Sequence, residues 1–358
     1  LNAKNCRMLG APDAKYTTTE IKMSACEQLE EVYLEGTQIL GVDLPSGGRL
    51  RKVHLPSTLT TLNLINQKKI EELKIVDNEG NTDYSNLSTL SVSNVNQMIQ
   101  NWTVEVISQL ETGYIKFTGF DVSFASLDKF NTFIDHLMKM KGDTSSQDPT
   151  KATVSGTIHL NSSLSIPYKR YKEIVDYYKD LKIDAQVERT VEFYNYDGTE
   201  LLDTQYFTVG SSESGSVVYG GETPVREETE DIHYRFDGWS LYPVGESYIL
   251  DSEALINISA DRKVYAFFTE VPVFRVNFYN YDGETLLETH RLREDLGTTV
   301  TFEGEFPSSP EGFDAPFEGW GSQTYIGKDV EVSEDNRTLL NVNSDRNVYA
   351  QMRWQNIG

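Results

Sequence analysis

The sequence predicts a mainly β protein with some α structure. Its parts are a solenoid of short strands, an α/β extension, and two tandem copies of one small β-domain. Three observations lead there. Hexamers of the pattern L-x-x-L-x-L recur along the N-terminal part at regular spacing. Apolar residues then switch to helical spacing. The hexapeptide FYNYDG occurs twice, at Phe193–Gly198 and Phe278–Gly283, each time followed by the same landmarks. Self-similarity of this kind decides architecture before any single element does.

The hexamers, with Ile or Val allowed, are Leu29/Val32/Leu34, Ile39/Val42/Leu44, Leu50/Val53/Leu55, Leu59/Leu62/Leu64, Ile70/Leu73/Ile75 and Leu87/Leu90/Val92. Their x-L-x-L part alternates, which makes a short strand with one apolar face. Alternate hexamers lie about twenty residues apart, as in Leu29, Leu50 and Ile70, so one coil holds two strands. A single coil cannot bury its apolar face; stacked coils can. Turn residues stand where the coil must bend, at Pro45-Ser46-Gly47-Gly48, Pro56-Ser57 and Asn66-Gln67. Cys6 and Cys26 are one coil apart, and a small, buried stacking position is expected for both. The solenoid is assigned to 1–110.

From 111 to 189 the pattern is α/β, a continuation or cap of the solenoid. Strands are expected at Tyr114–Phe117, Val154–Leu160 and Leu181–Ala185. Ser126 is an N-cap for a helix from Leu127 to about Met140, with Leu127, Phe130, Phe133, Ile134, Leu137 and Met138 on one face. A second helix is expected from Pro167 to Asp180, with Tyr171, Ile174, Val175 and Tyr178 inward. Terminal coils of a solenoid need such a cover.

The two copies that follow are assigned to 190–272 and 273–358. After FYNYDG come Leu201-Leu202 and Leu286-Leu287. Next is Phe-x-Gly-Trp, at Phe236/Gly238/Trp239 and Phe317/Gly319/Trp320. Last is D-R-x-V-Y-A, at Asp261–Ala266 and Asp345–Ala350. Asp-Gly between extended segments predicts a tight hairpin in which both turn residues have positive φ, so Gly198 and Gly283 are structural anchors. Trp239 and Trp320 are the expected core anchors, each beside a glycine that leaves it room. Tyr194, Tyr196, Tyr279 and Tyr281 are candidate surface contacts, a sugar-stacking row unless alternate ones pack and the others cover the sheet. The VERT segment passes into the first copy with almost no linker, which implies a semi-rigid rod.

Composition excludes several functions. A hydrophobic content of 38% supports modest cores, which suits small modules in a row. A formal charge of −23 and the absence of clustered Lys and Arg argue against nucleic acid. The acidity suits solubility and resistance to self-association, with recruitment of cations as a second reading. No apolar run is long enough to span a membrane. The five histidines, His54, His136, His159, His233 and His290, form no H-E-x-x-H or H-x-H, so no metal and no cofactor is expected. No G-x-S-x-G and no phosphate-cradling loop occurs. Acidic pairs are too abundant among 55 Asp and Glu to point to a glycosidase. Asp77–Asn81 and Ser333–Asn336 read as solvated turns, with weak Ca²⁺ binding as the alternative. The chain opens at Leu1 inside a repeat and reads as a piece of a longer protein.

Two resemblances add to this. The stretch Leu55-Pro56-Ser57-Thr58-Leu59-Thr60-Thr61-Leu62 resembles bacterial and phage leucine-rich repeats with L-P-x-T-L-T-x-L phrasing. The series Y-D-G, F-x-G-W, D-R-x-V-Y-A resembles the internalin-type B repeat (Listeria–Bacteroides repeat), a β-grasp-like module strung on bacterial surface proteins and phage virion proteins. The order of parts is similar to tail or minor structural proteins of phages that infect Firmicutes. The resemblance implies a non-enzymatic virion protein, tail-associated or fibre-like, acting in assembly or host-surface attachment. Its partners would be other virion or surface proteins and a host cell-surface glycan or protein, with no membrane insertion. A cell-surface adhesin of the internalin type and an accessory binding region of a secreted enzyme are the alternatives.

Overall fold

The computed structural model describes residues 1–2, 11, 19–46, 48–243 and 255–354. The fold is mainly β, with three α-helices among the described residues. By internal contacts the chain forms two compact units. The first holds Leu1–Val191, Tyr206–Val217 and Ile256–Arg262; the second holds Glu192–Gln205, Val218–Leu255 and Lys263–Gly358.

The first unit opens with β1 (Glu20–Lys22), β2 (Glu31–Tyr33), β3 (Gly41–Asp43), β4 (Lys52–Pro56), β5 (Thr61–Asn63), β6 (Glu72–Val76) and β7 (Thr89–Ser93). They divide by parity: the odd strands lie in one sheet and the even strands in another, all pairs parallel. Glu20 lies beside Gly41 and Gly41 beside Thr61, so one circuit takes about twenty residues. A parallel pair needs a crossover. Here the crossover is itself a short strand in the opposite sheet, and the two apolar faces close on each other. Every hexamer position is buried except Leu29, which is half-buried against the same core. The turns between strands are satisfied across coils. Gln67 is buried and its Nε2 donates to the Pro45 carbonyl at 2.8 Å, while Asn96 Nδ2 donates to the carbonyls of Lys68 and Ile70 at 3.1 and 2.8 Å. Buried backbone oxygens need such partners. Gly47 lies outside the described residues.

After β7 helices replace the even strands. Helix α1 (Gln97–Ile107) precedes β8 (Tyr114–Phe124), α2 (Leu127–Lys139) precedes β9 (Thr153–Leu160), and α3 (Tyr168–Tyr177) lies between β10 (Ser165–Pro167) and β11 (Leu181–Asp184). Strands β8, β9 and β11 extend the long parallel sheet beyond β7. Helix α2 sits where its spacing predicts, with Ser126 Oγ accepting the Lys129 N–H at 3.4 Å and Phe130, Phe133, Ile134 and Leu137 buried. Helix α1 is absent from the sequence reading. Its Thr103, Val104, Val106 and Ile107 are β-branched and read as strand. Yet Asn96 Oδ1 caps it through the Ile99 N–H at 3.0 Å, and Ile99, Trp102, Val106 and Ile107 form a buried helical stripe. Strand β8 runs past the expected Phe117 through a bulge. One buried cluster extends from Met23 to Val187.

The cysteine expectation fails. Cys26 is exposed, between two turns that link β1 to β2, and Met23 takes the buried position. Cys6 lies outside the described residues.

Strand β12 (Gln186–Tyr194) pairs parallel with β10 and leads into the repeats. These contain β13 (Leu201–Gly210), β14 (Ile232–Ser240), β15 (Arg262–Tyr279), β16 (Leu286–Arg293), β17 (Val300–Thr301), β18 (Phe317–Gly321), β19 (Thr338–Leu339) and β20 (Arg346–Met352). In the second repeat β16 is antiparallel to β15, β20 is parallel to β15, and β18 is antiparallel to β20. Strand β15 is 18 residues long. It is at once the last strand of the first repeat and the first strand of the second. The second repeat nonetheless has its own core, around Phe278, Phe302 and Trp320.

Candidate binding surfaces of the repeats

Each repeat is built around its tryptophan. Trp320 is fully buried, with ring centroids of Phe278, Phe302 and Phe317 at 4.8, 5.0 and 5.2 Å, and its Nε1 donates to the Asn336 carbonyl at 3.0 Å. Trp239 meets Phe193, Tyr219 and Phe236 at 4.8, 4.7 and 5.5 Å. The glycine before each tryptophan acts differently from the expected role of leaving room. Side chains three apart on a regular strand point to opposite faces. The register shifts between Phe236 and Gly238 and between Phe317 and Gly319 show a β-bulge, which restores both aromatics to one face. Gly238 and Gly319 have φ of +139° and +151°, a conformation that side-chain-bearing residues avoid.

The hairpin expectation is corrected in the same way. Only the glycines carry positive φ, +78° at Gly198 and +75° at Gly283. The Gly198 N–H donates to the Asn195 carbonyl at 3.1 Å, and the Gly283 N–H to the Asn280 carbonyl at 3.0 Å. This is a type I turn followed by a left-handed glycine, in which the aspartate stays in ordinary backbone space. The aspartates staple the loops instead: Asp197 Oδ1 accepts the Thr199 N–H at 3.0 Å and Asp282 Oδ1 the Thr285 N–H at 2.9 Å.

The four tyrosines fall into two pairs. Tyr194 stacks on Tyr265 at 5.7 Å and Tyr279 on Tyr349 at 5.4 Å, side by side on neighbouring strands. The Tyr194 hydroxyl also donates to Glu192 at 3.0 Å. These two cover a sheet face and are already engaged. Tyr196 and Tyr281, at the turns, differ from each other. The Arg226 guanidinium lies 4.2 Å from the centre of the Tyr196 ring and 3.7 Å from that of Tyr234, closed between them. Tyr281 instead faces Trp354 at 6.4 Å, and Trp354 is flanked by Phe313 at 5.7 Å and Tyr325 at 6.3 Å. Phe313, Tyr325 and Trp354 are 61%, 68% and 45% exposed. Sequence reading missed this group, because its members are far apart in the chain and meet only through strand pairing and loop closure.

Titratable groups elsewhere are engaged in local hydrogen bonds. His159 lies with Nε2 2.8 Å from Asp121 and Nδ1 2.9 Å from Asp184, across three adjacent strands. The hydrogen bond to Asp184, and then Asp121, holds its pKa above the usual histidine value. His54 Nε2 meets Glu72 at 2.9 Å, His233 Nδ1 meets Glu228 at 3.0 Å, His290 Nε2 meets Glu288 at 2.7 Å, and His136 Nδ1 meets the Leu110 carbonyl at 2.6 Å. The Asp77 loop is closed on itself: its carboxylate accepts the N–H groups of Asn81 and Glu79, which holds its pKa low. Among the described residues no three His, Cys, Asp or Glu converge as a metal group, and no helix is long and apolar enough to cross a membrane. A cleft of about 790 Å³ between α1 and α2 has Val122 and Phe124 among its apolar lining and Asn101, Glu105 and Asp128 among its polar lining. None of the residues lining it is a histidine or cysteine. No family model and no curated protein matches the chain.

Proposed function

We propose that the chain is a non-enzymatic virion structural protein of a phage infecting Gram-positive bacteria, tail-associated or fibre-like, acting in assembly or host-surface attachment. In this reading residues 1–110 are a leucine-rich-repeat solenoid and residues 111–189 its α/β continuation or cap. The segments 190–272 and 273–358 are β-grasp-like B-repeat modules that space and present binding surfaces. The observation that carries the reading is β15. One strand serves two repeats without a linker, which suits a spacer. Each histidine is engaged by a carboxylate or a carbonyl, and the buried hexamer and aromatic positions serve packing. The parallel pairing of first and last strands in the second repeat supports the β-grasp comparison.

Antibodies against the purified chain test the placement. Labelling of intact phage particles, concentrated at the tail, is the expected result. Labelling of uninfected bacterial cell surfaces instead would favour the internalin-type adhesin, for which the exposed aromatics of the second repeat are the supporting feature. Labelling of neither would reject both.

A further inference from the structure

The two repeats share a framework, so their differences mark what each does separately. In the first, Arg226 occupies the space between Tyr196 and Tyr234. Counting back from Phe236 and Phe317, Ala315 stands at the Tyr234 position, and no Lys or Arg occurs between Arg293 and Lys328. The second repeat thus lacks both the cation and one of the rings that hold it. In their place it gains Trp354, where the first repeat has Glu270, counting from Tyr265 and Tyr349. A hollow of about 70 Å³ results, with Tyr281, Tyr325, Trp354 and Met352 in its lining. Among the described residues no cation lies over these rings.

We propose that this aromatic hollow binds the guanidinium group of an arginine side chain from a basic partner protein, as the first repeat binds its own Arg226. Cations are held over ring faces by the aromatic quadrupole and need no directional hydrogen bond. That suits the site, because the amide of Gln351 in its lining is committed at both ends. Its Oε1 accepts the Gly327 N–H at 2.8 Å and its Nε2 donates to the carbonyls of Gln323 and Tyr349 at 2.7 and 3.1 Å. A formal charge of −23 favours approach of a basic segment. The inference stands whether the chain is displayed on a particle or a cell.

The test titrates the whole chain with acetyl-arginine methylamide and with its neutral citrulline analogue at low ionic strength, following tryptophan emission. Trp354 is the exposed tryptophan; Trp102, Trp239 and Trp320 are buried, so a change in emission reports on this site. The expected result is a saturable change, about fivefold weaker with citrulline. It should be reduced in Tyr325→Ala, a surface change that leaves the core intact; in Trp354→Ala, which removes the emission reporter, NMR titration with the arginine probe should show no saturable shift of the Tyr281 ring. In Arg226→Ala the vacated rings of Tyr196 and Tyr234 should show new, saturable NMR shifts with the arginine probe. Equal binding of citrulline, no saturable change, or a response that survives both aromatic substitutions would overturn the proposal. Tighter binding of tetramethylammonium than of the arginine probe would also overturn it, in favour of a quaternary ammonium ligand.

Discussion

Replacing Trp320 by alanine removes the side chain on which the core of the second repeat converges. The indole is fully buried among Phe278, Phe302 and Phe317, and its loss also strips the Asn336 carbonyl of its donor. Truncations of this size cost about 3–5 kcal/mol. A repeat of about 80 residues is worth only about 4–12 kcal/mol in all, so the second repeat should be close to unfolding. The effect on the first repeat depends on the junction. Besides β15, the repeats are joined by Arg275–Glu230 at 3.1 Å, Arg291–Glu228 at 3.6 Å and Arg235–Asp295 at 3.9 Å, and by Arg291 donating to the Thr229 carbonyl at 2.8 Å. At least one partner in each ion pair is well exposed, and such pairs contribute about 0–1 kcal/mol each. The three ion pairs together give about 0–3 kcal/mol, no more than the low end of the loss, and the first repeat keeps its own Trp239 cluster. Hydrogen exchange read by mass spectrometry should therefore show lost protection in β18 and β20 while β14 and the first half of β15 stay protected. Simultaneous loss across both repeats would refute the separation of cores.

Gly319→Ala places a side chain at φ +151°, with Lys328 Cβ and Asn336 Oδ1 each 3.3 Å from the new Cβ. It should destabilise the second repeat by about 1–3 kcal/mol in thermal unfolding, and an unchanged midpoint would reject the bulge argument. Because the folded pKa of His159 is raised, its stabilising contribution is fully present below the unfolded value of about 6.5 and is lost as pH rises through the folded value. The stability gap between wild type and His159→Gln should therefore be larger at about pH 5 than at about pH 9, small in size because the site is partly exposed; an equal gap at both would contradict it. Arg189 is 1% exposed, with its Nε and Nη1 unpartnered; its Nη2 donates to the Ser211 carbonyl at 3.3 Å. Arg189→Met should unfold no earlier than wild type, since an apolar side chain of similar length avoids the desolvation of a buried charge; a drop of several degrees would show that the contacts of the guanidinium with the Ser211 carbonyl and, at 5.9 Å, the Tyr168 ring outweigh that cost.

The hexamer leucines were legible because a strand that is apolar on one face declares itself by alternation, and because the coil spacing repeats. The span of α2 was legible for the matching reason: six apolar residues on one helical face and a serine before them. Helix α1 was not, since its β-branched residues favour strand locally and only burial of the Ile99, Trp102 and Val106 stripe against the sheet decides for helix. The role of Gly238 and Gly319 was half legible. Phe-x-Gly-Trp shows that a glycine is required, but the parity argument needs the register of the partner strand. The aromatic hollow could not be read at all from spacing. Tyr281, Phe313, Tyr325 and Trp354 meet through strand pairing and loop closure, and no local pattern encodes that meeting.

The central claim is that the chain acts by binding and spacing without turnover. The most direct measurement incubates the purified chain with cell walls of a Gram-positive host and follows soluble glycan and peptide fragments over time. The account predicts saturable, stoichiometric binding with no time-dependent release. Release that grows with time and vanishes on substitution of a single Asp or Glu would contradict it.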